Sequence, residues 1–218
     1  MPDSLTPPHP GPGRRRLVVL DVDSTLITQE VVELLADHAG TREQVAAVTE
    51  RAMRGEIDFA ASLRDRVATL AGVPESVLDD VRRAVTFTPG APELVAECQR
   101  RGWAVALISG GFAEIVVALA ERLEVADGML TGRTLGPVID RAVKGATLRE
   151  WAAEQGIDLR DTVAVGDGAN DLDMIAAAGI GVAFAAKPLV RLQAPFSVDG
   201  PRLDAVLDVI DRVDAAVG

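Results

Sequence analysis

Tyrosine is absent from this 218-residue chain, and five Phe and two Trp hold the aromatic content to 3%. Surfaces that bind single-stranded nucleic acid stack bases on aromatic side chains, so that class of partner finds little here. Positive charge is short as well: 22 Lys and Arg stand against 33 Asp and Glu, a formal net charge of -11. Phosphate backbones and anionic lipid surfaces attract basic faces, so neither nucleic acid nor a membrane is an expected partner. Cysteine occurs once, at Cys98, which permits no internal disulfide and suits a reducing cytosol. It reads as a small apolar side chain on a helix. No stretch approaches the roughly twenty apolar residues of a membrane-spanning helix. Arg14 to Arg16 do precede an apolar run, but Asp21 and Asp23 interrupt it too soon for a signal-peptide core. These absences point to a soluble, cytoplasmic chain whose partner is neither nucleic acid nor a membrane.

What the chain does have is apolar residues, 48% of the total, enough for one good core and a second small one. The opening "MPDSLTPPHPGPG" is rich in Pro and Gly without an apolar stripe, so residues 1–15 are expected to form a flexible leader. From Arg16 onward two textures alternate. Short runs bounded by Gly or Asp ("RLVVLDV", "WAVALISGG", "TVAVGDG", "GIGVAF") read as parallel strands buried on both faces. Helical periods lie between them: "APELVAECQRRG", "FAEIVVALAERL", "KGATLREWAAEQG" and "NDLDMIAAAG". This pattern predicts an α/β fold, a doubly wound parallel sheet with a Rossmann-like core over 16–29 and 86–218. Residues 30–85 break the alternation with four helical periods and no strand, a helical insertion after the first strand. "GMLTGRTLGPVID", with Gly punctuation and β-branched residues, allows a short β excursion.

Sorted by position, the polar residues gather at strand ends. The first strand runs into Asp21 and Asp23, the second into Ser109-Gly110-Gly111, the third into Gly166-Asp167-Gly168 followed by Asn170 and Asp171. Each cluster alone reads as an ordinary cap or turn. Together they bring four carboxylates, hydroxyls and small-residue amides to the carboxyl edge of one sheet, where such folds bind ligands. Two acids spaced as Asp21 and Asp23 share one face of a strand and raise each other's pKa unless something cationic intervenes. That suits an acidic metal site beside an anion cradle. Asp21, held against a divalent cation, can attack phosphorus; Asp23 can protonate the leaving alkoxide and then accept a proton from water. Magnesium prefers hard oxygens, which Asp21, Asp167 and a backbone carbonyl near Asp23 would supply, with Asp171 orienting a metal-bound water. Ser109 and the Gly110 amide would hold phosphate oxygens, whose charge a lysine could neutralise. Read by itself, Lys144 is equally a solvated lysine at a helix start.

These motifs resemble those of the aspartate-nucleophile phosphatases of the haloacid dehalogenase superfamily: Asp-x-Asp after the first strand, Ser or Thr after the second, a Lys, and a Gly-Asp pair with a further Asp. Here the matching positions are Asp21, Asp23, Ser109, Lys144, Gly166, Asp167 and Asp171, and the likeness runs from about Arg16 to the C-terminus. The insertion resembles the phosphoserine phosphatase branch in particular, through Glu30 and then Met53, Phe59 and Arg66 in "AMRGEIDFAASLRDRV". The resemblance implies Mg2+ at Asp21, Asp23, Asp167 and Asp171. It also implies a substrate pocket of Glu30, Met53, Phe59, Arg66, Ser109, Gly110, Lys144 and Asn170, and hydrolysis of O-phospho-L-serine in serine biosynthesis. Glu30 and Arg66 would meet the α-amino and α-carboxyl groups, though an arginine on an amphipathic helix ordinarily faces solvent. Two departures stand out: the chain has no room for the amino-acid-binding regulatory domain of many relatives, and Ala185 occupies the place where they often carry His. The rivals are the same chemistry on another small phosphate, phosphoryl transfer to another acceptor, and a signalling receiver module. A receiver is about half this length, has no cap, and lacks the second Asp.

Overall fold

The computed structural model describes residues 15–109, 123–126, 129–134 and 139–217. The expected leader, apart from Arg15, and most of the helix expected over "FAEIVVALAERL" lie outside the described residues.

Five parallel strands form the main sheet: β1 (Leu17–Asp21), β2 (Ala104–Ile108), β5 (Thr162–Gly166), β6 (Ile180–Phe184) and β7 (Phe196–Val198), in the order β2-β1-β5-β6-β7. Every residue of β1, β5 and β6 is buried, which is why these strands read as unbroken apolar runs. Side chains alternate between faces. Val18, Leu20, Val163 and Val165 pack against α5 (Ala91–Arg100) and α9 (Val206–Val217), whereas Leu17, Val19 and Ala164 pack against α6 (Arg141–Glu154) and α7 (Leu172–Ala177). Cys98 is fully buried on α5, an apolar core residue. A last short helix, α8 (Pro188–Gln193), follows β6. The sheet is therefore doubly wound. β1 lies between the strand that follows it in the chain, β2, and the later β5, so the direction of winding reverses beside its carboxyl end. Register places Asp21 opposite Ile108 and Leu20 opposite Val165, so Asp21, Ser109 and Asp167 leave the sheet at one edge.

Between β1 and α5 the chain forms α1 (Val31–His38), α2 (Arg42–Met53), α3 (Phe59–Ala68) and α4 (Val77–Ala84). Their inner faces, with Val31, Leu35, Val45, Leu63, Val67, Leu70 and Val81, make an apolar cluster of their own. Two crossings tie this insertion to the sheet. Thr28 N–H donates to Thr86 O (3.1 Å) and Thr88 N–H to Leu26 O (3.0 Å), while the Gln29 amide bonds Ala84 O (3.2 Å) and Thr86 Oγ1 (2.7 Å). The β excursion is an antiparallel pair, β3 (Leu123–Ala126) and β4 (Met129–Thr134), beginning earlier than the Gly punctuation suggested. No helix among the described residues is long and apolar enough to cross a membrane.

Candidate active site

Asp21 is the last residue of β1, and the side-by-side placement expected of residues i and i+2 on one strand does not occur. The chain turns at once through Val22–Leu26, with Ser24 in the left-handed region at φ 56°. A non-glycine residue there costs of order 1 kcal/mol, and Ser24 is held in place by its N–H donating to Gln29 O (3.2 Å) and its hydroxyl to Glu30 (2.7 Å). The turn, not strand periodicity, aims Asp23 into the site. Its Oδ1 accepts from Val31 N–H (2.8 Å), at the start of α1, and its Oδ2 from Ser109 Oγ (3.3 Å), at the end of β2. Burial is the main influence raising the Asp23 pKa, against these two donors and Lys144.

Lys144, in the first turn of α6, is fully buried, so the solvated reading of this residue fails. A buried ammonium costs several kcal/mol unless paired. Its Nζ donates to Asp21 Oδ1 and to Asp171 Oδ1 (2.7 Å). Burial pulls its pKa down, and the carboxylates of Asp171 and Asp21 more than reverse that, so the lysine stays charged. Asp171 in turn accepts at Oδ2 from the backbone N–H groups of Asp167 (3.1 Å) and Gly168 (3.0 Å). The loop closes so tightly that a Cβ on Gly166 would lie 2.4 Å from the Asp171 carboxylate, which excludes any other residue there.

Asp21, Asp167 and Asp171 are all buried, with carboxylate oxygens within 4.8 Å of one another. The Asp23 side chain is not part of this cluster. Burial pushes Asp21 well above the usual carboxylate range, reinforced by Asp171 and opposed by Lys144; burial and then Glu30, Asp171 and Asp21 do the same to Asp167. Asp167 Oδ1 is buried with no hydrogen-bond partner among the described residues. Hard oxygen donors, excess negative charge and an unpartnered buried carboxylate oxygen fit a divalent cation such as Mg2+.

Of the expected substrate-binding residues, Ser109 is buried at the end of β2 and Asn170 is buried beside Gly168, its Oδ1 unpartnered among the described residues. Met53, at the end of α2, brings its sulfur onto the same glycine: a Cβ at Gly168 would meet Met53 Sδ at 2.5 Å and Asn170 Oδ1 at 2.4 Å. Phe59 opens α3, and Gly110 lies outside the described residues. Glu30 precedes α1 and accepts from Ser24 Oγ (2.7 Å); burial, then the Asp23 charge, pushes its pKa up to about 7. Arg66 does not face solvent. It is 3% exposed, with Nε donating to Ser62 O (3.1 Å) and Nη1 to Thr49 Oγ1 (2.9 Å); burial lowers its pKa, opposed by the carboxylates of Glu30 and Asp23.

A cavity of about 270 Å³ opens between the insertion and the sheet edge, walled by Ser24, Glu30, Thr49, Glu50, Met53 and Lys187 among others. Thr49 and Lys187 carry no mark in the sequence that would single them out. Lys187 pairs with Glu50 of α2 at 2.8 Å, and its own N–H donates to Asp167 O at 3.1 Å. Both side chains of that pair are partly exposed, so it contributes at most about 1 kcal/mol and serves chiefly to register α2 against the acidic loop. The chain reaches it through Ala185, held at φ 45° with its N–H on Val198 O (2.8 Å), so what this position contributes here is a backbone turn.

The model of the haloacid dehalogenase-like hydrolase family matches residues 18–176. The phosphoserine phosphatase of Streptococcus thermophilus is 50% identical over 207 residues, covering 90% of this chain and 96% of that protein. The phosphoserine phosphatase of Streptomyces coelicolor is 52% identical over 216 residues, 93% of this chain, which spans only 53% of that longer relative. Among solved structures, a phospho-aspartyl intermediate analogue of phosphoserine phosphatase superposes with a TM-score of 0.85 at 38% identity, covering 90% of this chain and 99% of the other. A substrate-bound phosphoserine phosphatase complex gives the same score and identity, covering 90% and 98%.

Proposed function

Because this chain belongs to the haloacid dehalogenase-like hydrolase family, we propose that its acidic sheet edge hydrolyses O-phospho-L-serine to L-serine and phosphate, the last step of serine synthesis by the phosphorylated route. The observation that carries the reading is the division of labour between two aspartates. Asp21 is gripped by the buried Lys144, while Asp23 stands apart with both oxygens held by Val31 and Ser109. Asp21 attacks phosphorus and the bond to the serine oxygen breaks, leaving an aspartyl phosphate, with Asp23 giving its proton to the departing alkoxide. Water then attacks that phosphate, Asp23 takes the proton back, and Asp21 is regenerated as phosphate leaves. Each role needs its environment. Burial would protonate Asp21, and Lys144 opposes this; burial without a direct lysine contact lets Asp23 carry the proton it must donate.

Asp21, Asp167 and Asp171, with a backbone carbonyl near Asp23, would hold Mg2+, whose charge offsets the negative charge that phosphate adds to this cluster. Ser109, Gly110, Asn170 and Lys144 receive the phosphate oxygens. Residues 30–85 act as a cap over the core of 16–29 and 86–218, and exclude water before attack. Glu30 meets the substrate ammonium and Arg66 its carboxylate, with Met53 and Phe59 packed against the substrate. The reading includes a cytoplasmic compartment and a monomer or homodimer.

The substrate assignment is tested at Arg66. Arg66→Ala should lower kcat/KM for phosphoserine by roughly a hundredfold, about 3 kcal/mol, the scale of a lost charge-assisted contact, and leave phosphoethanolamine, which has no carboxylate, nearly unchanged. Turnover of phosphoethanolamine also reports that the variant is folded. Arg66→Lys should not restore phosphoserine, because an ammonium cannot make the two parallel bonds of a guanidinium. An equal fall for both substrates would place Arg66 in the scaffold or on the phosphate. No fall for either would move the search to phosphates without an α-carboxylate.

A further inference from the structure

Thr49 has no role in the chemistry described so far, yet it occupies a particular position. It lies on α2, is 3% exposed, lines the cavity beside Glu50 and Met53, and accepts a hydrogen bond from the Arg66 guanidinium, which belongs to α3. A second anchor on that guanidinium is its own helix: Nε donates to Ser62 O, four residues back. A bond to the parent helix leaves rotation about the last side-chain torsions. A second bond, from another nitrogen to a different helix, fixes the plane.

We propose that Thr49 is a positioning residue for substrate selection: its hydroxyl holds the Arg66 guanidinium at the orientation from which it pairs with the carboxylate of a carboxylate-bearing phosphomonoester. The proposal rests on the assignment of Arg66 as the carboxylate receptor. Arginine carries large rotamer entropy, and a fork that must be ordered at the moment of binding loses that freedom at the expense of affinity. A guanidinium already fixed between two helices loses little. The hydrogen bond is buried and charge-assisted, so its loss costs more than a neutral surface bond. Phosphate binding and the aspartate chemistry depend on the sheet edge, whereas the Thr49 hydroxyl accepts from Arg66 on a helix of the insertion. The effect should therefore appear in KM for substrates with a carboxylate and nowhere else.

Thr49→Val isolates this bond, because valine keeps the volume and β-branching of threonine and exchanges only the hydroxyl for a methyl. With the full chain and Mg2+, Thr49→Val should raise KM for phosphoserine about tenfold, leave kcat within about twofold, and leave kcat/KM for phosphoethanolamine unchanged. Thr49→Ser, which retains the hydroxyl, should behave as the parent and serves as the folding control. In an Arg66→Ala background, Thr49→Val should add nothing, as expected for two residues acting through one contact. A Thr49→Val variant that loses both substrates equally overturns the proposal in favour of a purely structural threonine. One that loses neither, while Arg66→Ala still loses phosphoserine, overturns it alone. If Arg66→Ala spares phosphoserine, the underlying assignment of Arg66 falls, and the proposal with it.

Discussion

Asp21→Asn should abolish phosphate release, by a factor of at least about ten thousand, the scale on which a covalent nucleophile is lost. The amide has the shape of the carboxylate and still accepts from Lys144, but it is too poor a nucleophile to attack phosphorus. The fold should not suffer. Burial and the neighbouring Asp171 disfavour the ionised form of Asp21, so a neutral side chain relieves one repulsion, and Lys144 keeps Asp171 at 2.7 Å as its counter-ion. Circular dichroism should therefore match the parent, and the melting temperature should stay within a few degrees. The assay is phosphate release from phosphoserine, with the folded state checked on the same sample. Activity within a hundredfold of the parent in a folded variant would move the nucleophile elsewhere.

How far this site was visible in the sequence depends on whether each residue is placed by local pattern or by long-range contact. Asp21, Ser109 and Asp167 were legible, because a buried parallel strand is an apolar run and the residue ending it is known as soon as the run is recognised. Asp23 was named for a reason the structure corrects. Strand alternation stops at Asp21, and what places the second acid is a turn with Ser24 at positive φ, which no serine announces. Lys144 could be picked out only by resemblance, since a lysine at the start of a helix is ordinary; its burial comes from two carboxylates, one of them 123 residues away along the chain. Thr49 and Lys187 gave no signal for the same reason: the partners that matter, Arg66 and Glu50, lie on other elements. The β7 strand, three residues at the sheet edge, is too short to show a period.

Chelating divalent cations should silence the enzyme, with Mg2+ restoring it, and Asp167 decides whether the acidic cluster is the reason. Three buried carboxylates converge within 4.8 Å, while Lys144 is bonded to two of them, Asp21 and Asp171. Asp167 Oδ1 is left with no partner among the described residues. Without a cation, such a site favours taking up protons, since burial raises both Asp21 and Asp167. The sign of the stability effect follows. A carboxyl whose folded pKa lies above its unfolded value of about 4 stabilises the fold below that value, and the contribution is lost as pH rises through the folded pKa. The chelated protein should therefore melt at progressively lower temperature as pH rises from about 5 toward neutrality and beyond. Mg2+ should flatten that slope by supplying the missing charge, and at a hundred times its dissociation constant it should add about 2.7 kcal/mol of stability. Asp167→Asn removes the unpartnered anion. It should lose activity, lose most of the Mg2+-dependent rise in melting temperature, and lose part of the pH slope of the chelated protein, while its circular dichroism remains that of the parent. The melting curves give a readout independent of turnover. Full activity in excess chelator, or an undiminished Mg2+ shift in Asp167→Asn, would separate the cation from this cluster.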